Sequence, residues 1–402
     1  MKVEIRKNYL NRLIEMKDTE FIKVITGLRR SGKSSLMIMF KEYLIESGIN
    51  SKNIIYINFE TGLYDDIVEY TQLYKYIEDR LENGTNYILL DEVHNVKQWE
   101  RAVNAMNLNF NVDIYVTGSN AYLLSSEIST LIAGRYLEMK MYPLSFKEYM
   151  QFNEYNNKDE AFLEYLKYGG LPAISVLRNN SNLIATYLKD IYNSIVKKDI
   201  IDKGQIKDVY LLEKIVKYLS SNVGSVVSTS KISNYLNSNK IVEKSNPQTI
   251  ENYLKLLENS FIVYKVDRYD IKGKETLKTL GKYYISDVGI RNIQLGFRNI
   301  DEGHILENII YLELLARGYT VNIGKFMDYE VDFVAQNPDE LVYIQVAQSI
   351  LDENVLNREI RSLESINDNY EKIILTMDKT LNKNIRGIKI INIVDFLSEN
   401  TN

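Results

Sequence analysis

The run Gly27-Leu28-Arg29-Arg30-Ser31-Gly32-Lys33-Ser34 fits the pattern G-x-x-x-x-G-K-[ST], and its neighbours decide what it can be. An apolar β-branched segment, Phe21 to Thr26 (FIKVIT), precedes it, and an amphipathic stretch, Lys33 to Ser47, follows. A chain passing from strand to helix through two glycines presents consecutive backbone N–H groups, and the helix N-terminus adds partial positive charge. Such a loop is built to wrap phosphates. Lys33 is expected to reach the β- and γ-phosphates of ATP, and the Ser34 hydroxyl to sit on Mg2+. Gly27, Ser31, Gly32 and Ser35 belong to the same nucleotide-binding set. The side chains of Arg29 and Arg30 either approach phosphate or remain solvated and carboxylate-paired.

Strand-like and helix-like segments alternate up to about residue 145. Asn53 to Phe59, Tyr87 to Leu90 and Val112 to Thr117 read as three further strands, and Leu73 to Glu82 and Gln98 to Leu108 as helices. Strands spaced by helices imply a parallel sheet covered on both faces. The third strand ends in two acids, YILLDE. Beside a phosphate loop, Asp91 is expected in the magnesium shell and Glu92 at the attacking water.

The next strand ends in Thr117-Gly118-Ser119-Asn120. Ligands of open parallel sheets bind outside the carboxyl ends of strands, so Ser119 and Asn120 are expected to sense the γ-phosphate. Arg135, after Gly134, is a cation that could stabilise transition-state charge within its own chain or in a neighbouring subunit, or form an ordinary salt bridge. His94 is assigned a structural role, and Trp99 and Tyr115 a place in the core.

Composition excludes other chemistry. The 402-residue chain has no cysteine, which removes disulfides, thiolate metal sites and cysteine nucleophiles, and its two histidines lie too far apart in sequence to read as a cluster. No signal-peptide pattern and no long apolar run occur, so a cytoplasmic location without membrane contact is expected. A net charge of −5 excludes a wholesale basic surface.

Beyond residue 145 the strand signal fades into helices, broken at Gly169 to Pro172. Val209 to Leu219, Ser230 to Leu236 and Pro247 to Leu257 read as three short helices, the last capped by Asn246 with Pro247 at its first position. Two β-rich segments follow, Ile262 to Tyr269 and Lys282 to Ile285, giving the outline of a winged helix-turn-helix. A final α/β unit begins near Gly303, with a helix from Ile305 and strands at Thr320 to Ile323, Glu330 to Ala335 and Leu341 to Ala347. A helix near Arg358 and apolar runs at 372–377 and 388–393 complete it.

The segments GLRRSGKSSL (27–36), YILLDEVHNVKQWE (87–100), VTGSNAYLL (116–124), LIAGRYLEMKMYPLSFKEY (131–149), YGGLPA (168–173), YLKDIYNSIVKKDI (187–200) and KYYISDVGIRN (282–292) resemble, in order and spacing, a prokaryotic family of AAA-type ATP-binding proteins. Its members carry a C-terminal domain of unknown function. The resemblance implies an AAA-like P-loop NTPase core over 1–145, a helical lid over 146–204, a winged helix over 205–300 and a restriction-endonuclease-like α/β domain over 301–402. It implies no settled role; the motif residues Lys33, Ser34, Asp91 and Glu92 are what point to an ATPase using ATP and Mg2+, whose nucleotide state is expected to move the later domains.

Two further expectations concern those later domains. Between Gln205 and Arg298 stand fifteen Lys and Arg against nine Asp and Glu, with Lys272, Lys274, Lys278 and Lys282 in the wing segment. The candidate recognition helix itself, with Glu251, Lys255 and Glu258, is net −1. Double-stranded DNA of low sequence specificity is one partner reading; a structural or protein-interaction role, including a homo-oligomer, is the other. The nuclease resemblance places Glu307, Asp332 and Gln345 at metal positions, but Ala347 stands where a lysine is required. A retained scaffold is therefore expected, with an ATP-gated nuclease and a regulator of negligible turnover as the competing readings.

Overall fold

In the computed structural model the described residues are 6–399, apart from 125–131, 133, 179, 205, 207, 243–244, 298–301 and 380–382. The side chains of 124, 203, 278, 279, 302 and 383 are also outside the description. The chain divides into two units, Met1–Met141 with Asn259–Phe261, and Tyr142–Glu258 with Ile262–Asn402.

Each apolar run of the first unit that alternates with a helix becomes a strand of one parallel sheet. Its strands are β1 (Ile22–Gly27), β2 (Ile54–Asn58), β3 (Asn86–Asp91), β4 (Val112–Gly118) and β5 (Tyr136–Met141), in the order β2-β3-β4-β1-β5. The helices are α1 (Lys7–Met16), α2 (Lys33–Glu46), α3 (Tyr70–Glu78) and α4 (Trp99–Asn109). Two apolar clusters form, one around Leu73, Ile88, Trp99 and Val116, the other around Leu36, Phe40, Leu89 and Tyr115. Burying each such side chain contributes roughly 1.5–3 kcal/mol. Trp99 and Tyr115 are core residues, as their sequence context suggests. Two opposite charges are buried within this sheet as a pair, Lys23 on β1 and Asp113 on the neighbouring β4.

The fifth strand departs from the four expected. Tyr136–Met141 (YLEMKM) runs parallel to β1 at the sheet edge, with Met139 and Met141 buried and Glu138 and Lys140 exposed. Charges on the exposed face are what an edge strand needs to discourage further pairing.

The second unit begins with helices Phe146–Phe152, Lys158–Tyr168 and Ser181–Ile195. Gly169 and Gly170 end the second of these because the backbone must meet Asp287. Gly169 has φ +80°, a Cβ on it would lie 2.2 Å from the Asp287 carboxylate, and Gly170 N–H donates to that carboxylate at 2.7 Å. Helices Val209–Ser221, Thr229–Ser238 and Pro247–Asn259 follow, started by Asp208, Ser228 and Asn246, whose side chains accept the N–H groups of Leu211, Lys231 and Thr249.

One sheet of nine strands runs through the rest of this unit, in the order β13-β14-β12-β11-β10-β9-β7-β8-β6. It comprises β6 (Val226–Val227), β7 (Val263–Asp270), β8 (Glu275–Ile285), β9 (Thr320–Phe326), β10 (Tyr329–Gln336), β11 (Leu341–Ala347), β12 (Glu371–Thr376), β13 (Lys383–Ile385) and β14 (Ile388–Asn392). The β7–β8 hairpin joins the later strands through parallel pairing of Arg268 with Ile323, so the sheet is continuous across residue 300. Helix Glu302–Ala316 packs on it.

Candidate functional site

Parallel pairing puts the carboxyl ends of β1, β3 and β4 side by side, and the polar residues just beyond them converge. Gly27, the last residue of β1, has φ +144°, and a Cβ there would lie 2.1 Å from the Met141 carbonyl oxygen of β5. Only glycine fits, and the late strand β5 therefore forms the floor of the loop. Gly32, at φ +105°, caps α2 in the left-handed region. Lys33 is buried and donates to the carbonyls of Gly27 and Leu28 at 3.0 and 3.1 Å, with its Nζ 3.9 Å from Glu92 Oε1. Ser31 is fully buried, its hydroxyl without a hydrogen-bond partner among the described residues.

Asp91 is fully buried at the end of β3. Its carboxylate accepts the Thr117 hydroxyl at 2.5 Å and the Asn58 amide at 2.7 Å, with the Tyr56 hydroxyl at 3.3 Å, and it hydrogen-bonds Ser34. Burial holds this carboxyl above its ordinary value, against the lowering effect of Thr117 and Ser34. Burial and the Asp91 charge push Tyr56 up to about 12. The Ser34–Asp91 contact is the pair of oxygen donors that Mg2+ takes, so the residues present fit that ion.

Glu92 follows in the left-handed region at φ 53° and ψ 46°, a conformation that costs a non-glycine residue about 1–3 kcal/mol. The turn is held by its N–H donating to Thr117 Oγ1 at 2.9 Å. Its carboxylate accepts the Ser119 N–H at 3.2 Å and lies 3.3 Å from His94 Nδ1. The Ser119 hydroxyl is buried beside it without a partner among the described residues.

Other expected residues stand differently. Arg29 pairs with Glu60 at 2.8 Å, and Arg30 and Ser35 are exposed. Asn120 is buried, and its Oδ1 accepts the Tyr122 N–H at 2.8 Å. Arg135 lies at the start of β5, where its carbonyl accepts the Ile22 N–H at 2.8 Å and its guanidinium donates to Asn104 at 3.0 Å. Ile22 opens β1 and Gly27 closes it, so Arg135 sits at the opposite end of the sheet from the loop, roughly 17 Å away along the strand. The structure thus places Arg135 away from the loop of its own chain.

Three residues of the site escape the sequence reading, and Thr117, read with the group facing the γ-phosphate, bonds Asp91 and Glu92. Asn58 ends a strand adjacent to β3, and the rule that strand carboxyl ends hold ligands could have singled it out. His94, assigned a structural role, faces Glu92. Arg6 is buried and donates to the Ser31 carbonyl at 3.0 Å, a contact 25 positions away that no local pattern signals.

In the second unit, Lys272 and Lys274 are exposed, whereas Gln205, Arg298 and the Lys278 side chain lie outside the described residues. Lys282 does not serve a basic surface: it is buried on Glu307 at 2.9 Å and Glu330 at 2.9 Å, with Asp332 at 3.6 Å. Gln345 is equally committed, accepting the Asp332 N–H at 2.7 Å and donating to Ser362 at 2.8 Å. Ala347 ends β11 beside the cleft. Among the described residues no helix is long and apolar enough to cross a membrane.

Residues 19–150 match the model of an AAA domain, and residues 159–301 that of a domain of unknown function, DUF8612. An uncharacterized protein of Haemophilus influenzae is 44% identical over 398 residues, covering 98% of each chain. One of Methanocaldococcus jannaschii is 30% identical over 385 residues, covering 90% of this chain and 83% of its own. The Walker-type ATPase paby2304 of Pyrococcus abyssi shares the fold with a TM-score of 0.53 at 15% identity, over 73% of this chain and 96% of that one. The parallel sheet with its loop at Gly27–Ser34 is that of P-loop NTPases, and the chain belongs to the family of AAA-domain proteins that includes these Haemophilus and Methanocaldococcus relatives.

Proposed function

We propose that the protein is an Mg2+-dependent ATPase. The observation that carries this reading is the meeting of Lys33 and Ser34, at the start of α2, with Asp91 and Glu92 at the end of β3. ATP would bind with its β- and γ-phosphates against the loop N–H groups, and Lys33 would exchange the Gly27 and Leu28 carbonyls for phosphate oxygens. Ser34 and Asp91 would hold Mg2+, which supplies charge neutralisation of the phosphates when bound. Glu92 would orient a water molecule and take its proton on the carboxylate as the water oxygen bonds to the γ-phosphorus and the bond to ADP breaks. The unpartnered Ser119 hydroxyl would report the γ-phosphate, and Arg135 would serve a neighbouring subunit.

We read the three helices and the β7–β8 hairpin as a winged helix-turn-helix that follows a helical lid, and the terminal strands as a restriction-endonuclease-like fold moved by nucleotide state. Exposed Lys272 and Lys274 would be the DNA phosphate contacts, with low sequence specificity, since the helix Pro247–Asn259 is net negative.

Glu92→Gln tests the central reading. Hydrolysis should fall by about 10²–10⁴-fold with ATP still bound. Unchanged phosphate release would favour the competing reading, a regulator in which ATP is a structural ligand.

A further inference from the structure

A buried ammonium lies where β8, β10 and helix Glu302–Ala316 meet. Glu307 comes from helix Glu302–Ala316, Glu330 and Asp332 from β10, and Lys282 from β8 of the hairpin. Pairing of β9 with β10 is irregular between Val331 and Val334, and the Asp332 carboxylate accepts the Val346 N–H at 2.9 Å while its other oxygen faces Lys282. Tyr284 donates to Glu307 at 2.5 Å, on the same oxygen that Lys282 contacts. Glu307 and Asp332 also line an open cleft with His304, Arg358 and Glu359.

A divalent cation does not fit this arrangement. Two acids that would hold it already face one ammonium, the amide of Gln345 is spent on Asp332 N–H and Ser362, and the Ala347 side chain offers no donor. We propose that the Lys282 ammonium is the resident cation of this carboxylate cluster, taking the place of a divalent metal and clamping the hairpin to helix Glu302–Ala316 and β10. The cleft is then a charged joint of the sheet without metal-dependent phosphodiester cleavage. Against the burial that opposes it, the charges of Glu307, Asp332 and Glu330 raise the lysine above its ordinary value, so the clamp stays charged at neutral pH. An uncompensated carboxylate cluster is costly, and any other cation of suitable size should be able to replace the lost ammonium.

The test is thermal unfolding of the full chain without nucleotide, in EDTA and in millimolar Mn2+, together with Mn2+ binding followed by electron paramagnetic resonance. The wild-type midpoint should not respond to Mn2+ through this cluster. Lys282→Ala should unfold roughly 10 °C lower in EDTA and recover several degrees in Mn2+, a recovery abolished by adding Asp332→Asn. Should Lys282→Ala fail to fold in EDTA, refolding in Mn2+ should rescue it. Overturning results are a wild-type Mn2+ site lost in Glu307→Gln, Asp332-dependent cleavage of plasmid DNA, or a Lys282→Ala chain that behaves alike in EDTA and Mn2+, folded or not.

Discussion

Thr117 donates its hydroxyl proton to Asp91 at 2.5 Å, and the same oxygen accepts the N–H of Glu92 at 2.9 Å. One side chain on β4 thus fixes both acids at the end of β3, and holds Glu92 in a backbone conformation it would not keep alone. Thr117→Val removes both bonds at nearly constant volume. ATP turnover should drop about 10- to 100-fold with ATP affinity little changed, and Thr117→Ser should restore most of it. Equal losses in affinity and turnover would give Thr117 a different role.

Gly27→Ala should cost about 3 kcal/mol or more, because the methyl group meets a backbone oxygen of β5 and the φ of +144° is closed to alanine. Gly48, at φ +92° with open space around it, provides the comparison. Gly48→Ala should cost only about 1 kcal/mol in urea unfolding. Similar losses at both positions would mean that the contact with Met141 is not rigid.

Arg135→Ala should leave ATP affinity within about twofold of wild type, since the guanidinium stands at the far end of the sheet from Lys33. A tenfold weakening in a titration of dilute protein would place it near the nucleotide of its own chain.

Asp287 is buried, and burial pushes its carboxyl up to about 6 despite the Gly170 and Ile290 N–H groups. A carboxyl raised on folding favours the protonated form. Its contribution is therefore present below about pH 4 and lost as pH rises through about 6. Asp287→Asn cannot titrate. Its stability relative to wild type should rise by about 3 kcal/mol between pH 3.5 and 7, measured by denaturant unfolding. A flat difference would show that folding leaves the Asp287 carboxyl unshifted.

What could be read in the sequence was local. Gly27 to Ser34 and Asp91-Glu92 each carry their chemistry within a few positions, and the Asn246-Pro247 helix start needed only its own neighbours. Tyr136–Met141 gives no strand signal in sequence because an edge strand buries one face and carries charges on the other. The place of Arg135 depends on strand order, which pairs Ile22 with Tyr136 across more than a hundred positions. Lys282 reads as a basic surface residue in the sequence, whereas folding brings Glu307 and Glu330 onto it. Sidedness and long-range pairing are properties of the packed sheet, and no short window of residues contains them.

The most direct measurement is isothermal titration calorimetry of the folded chain with ATP and Mg2+, beside Lys33→Ala. Saturable binding is expected in the wild type, weakened about 10- to 100-fold in the variant by loss of a charge-assisted hydrogen bond to phosphate. No heat of binding in a wild-type sample whose circular dichroism shows it folded would contradict a nucleotide seat at Gly27–Ser34.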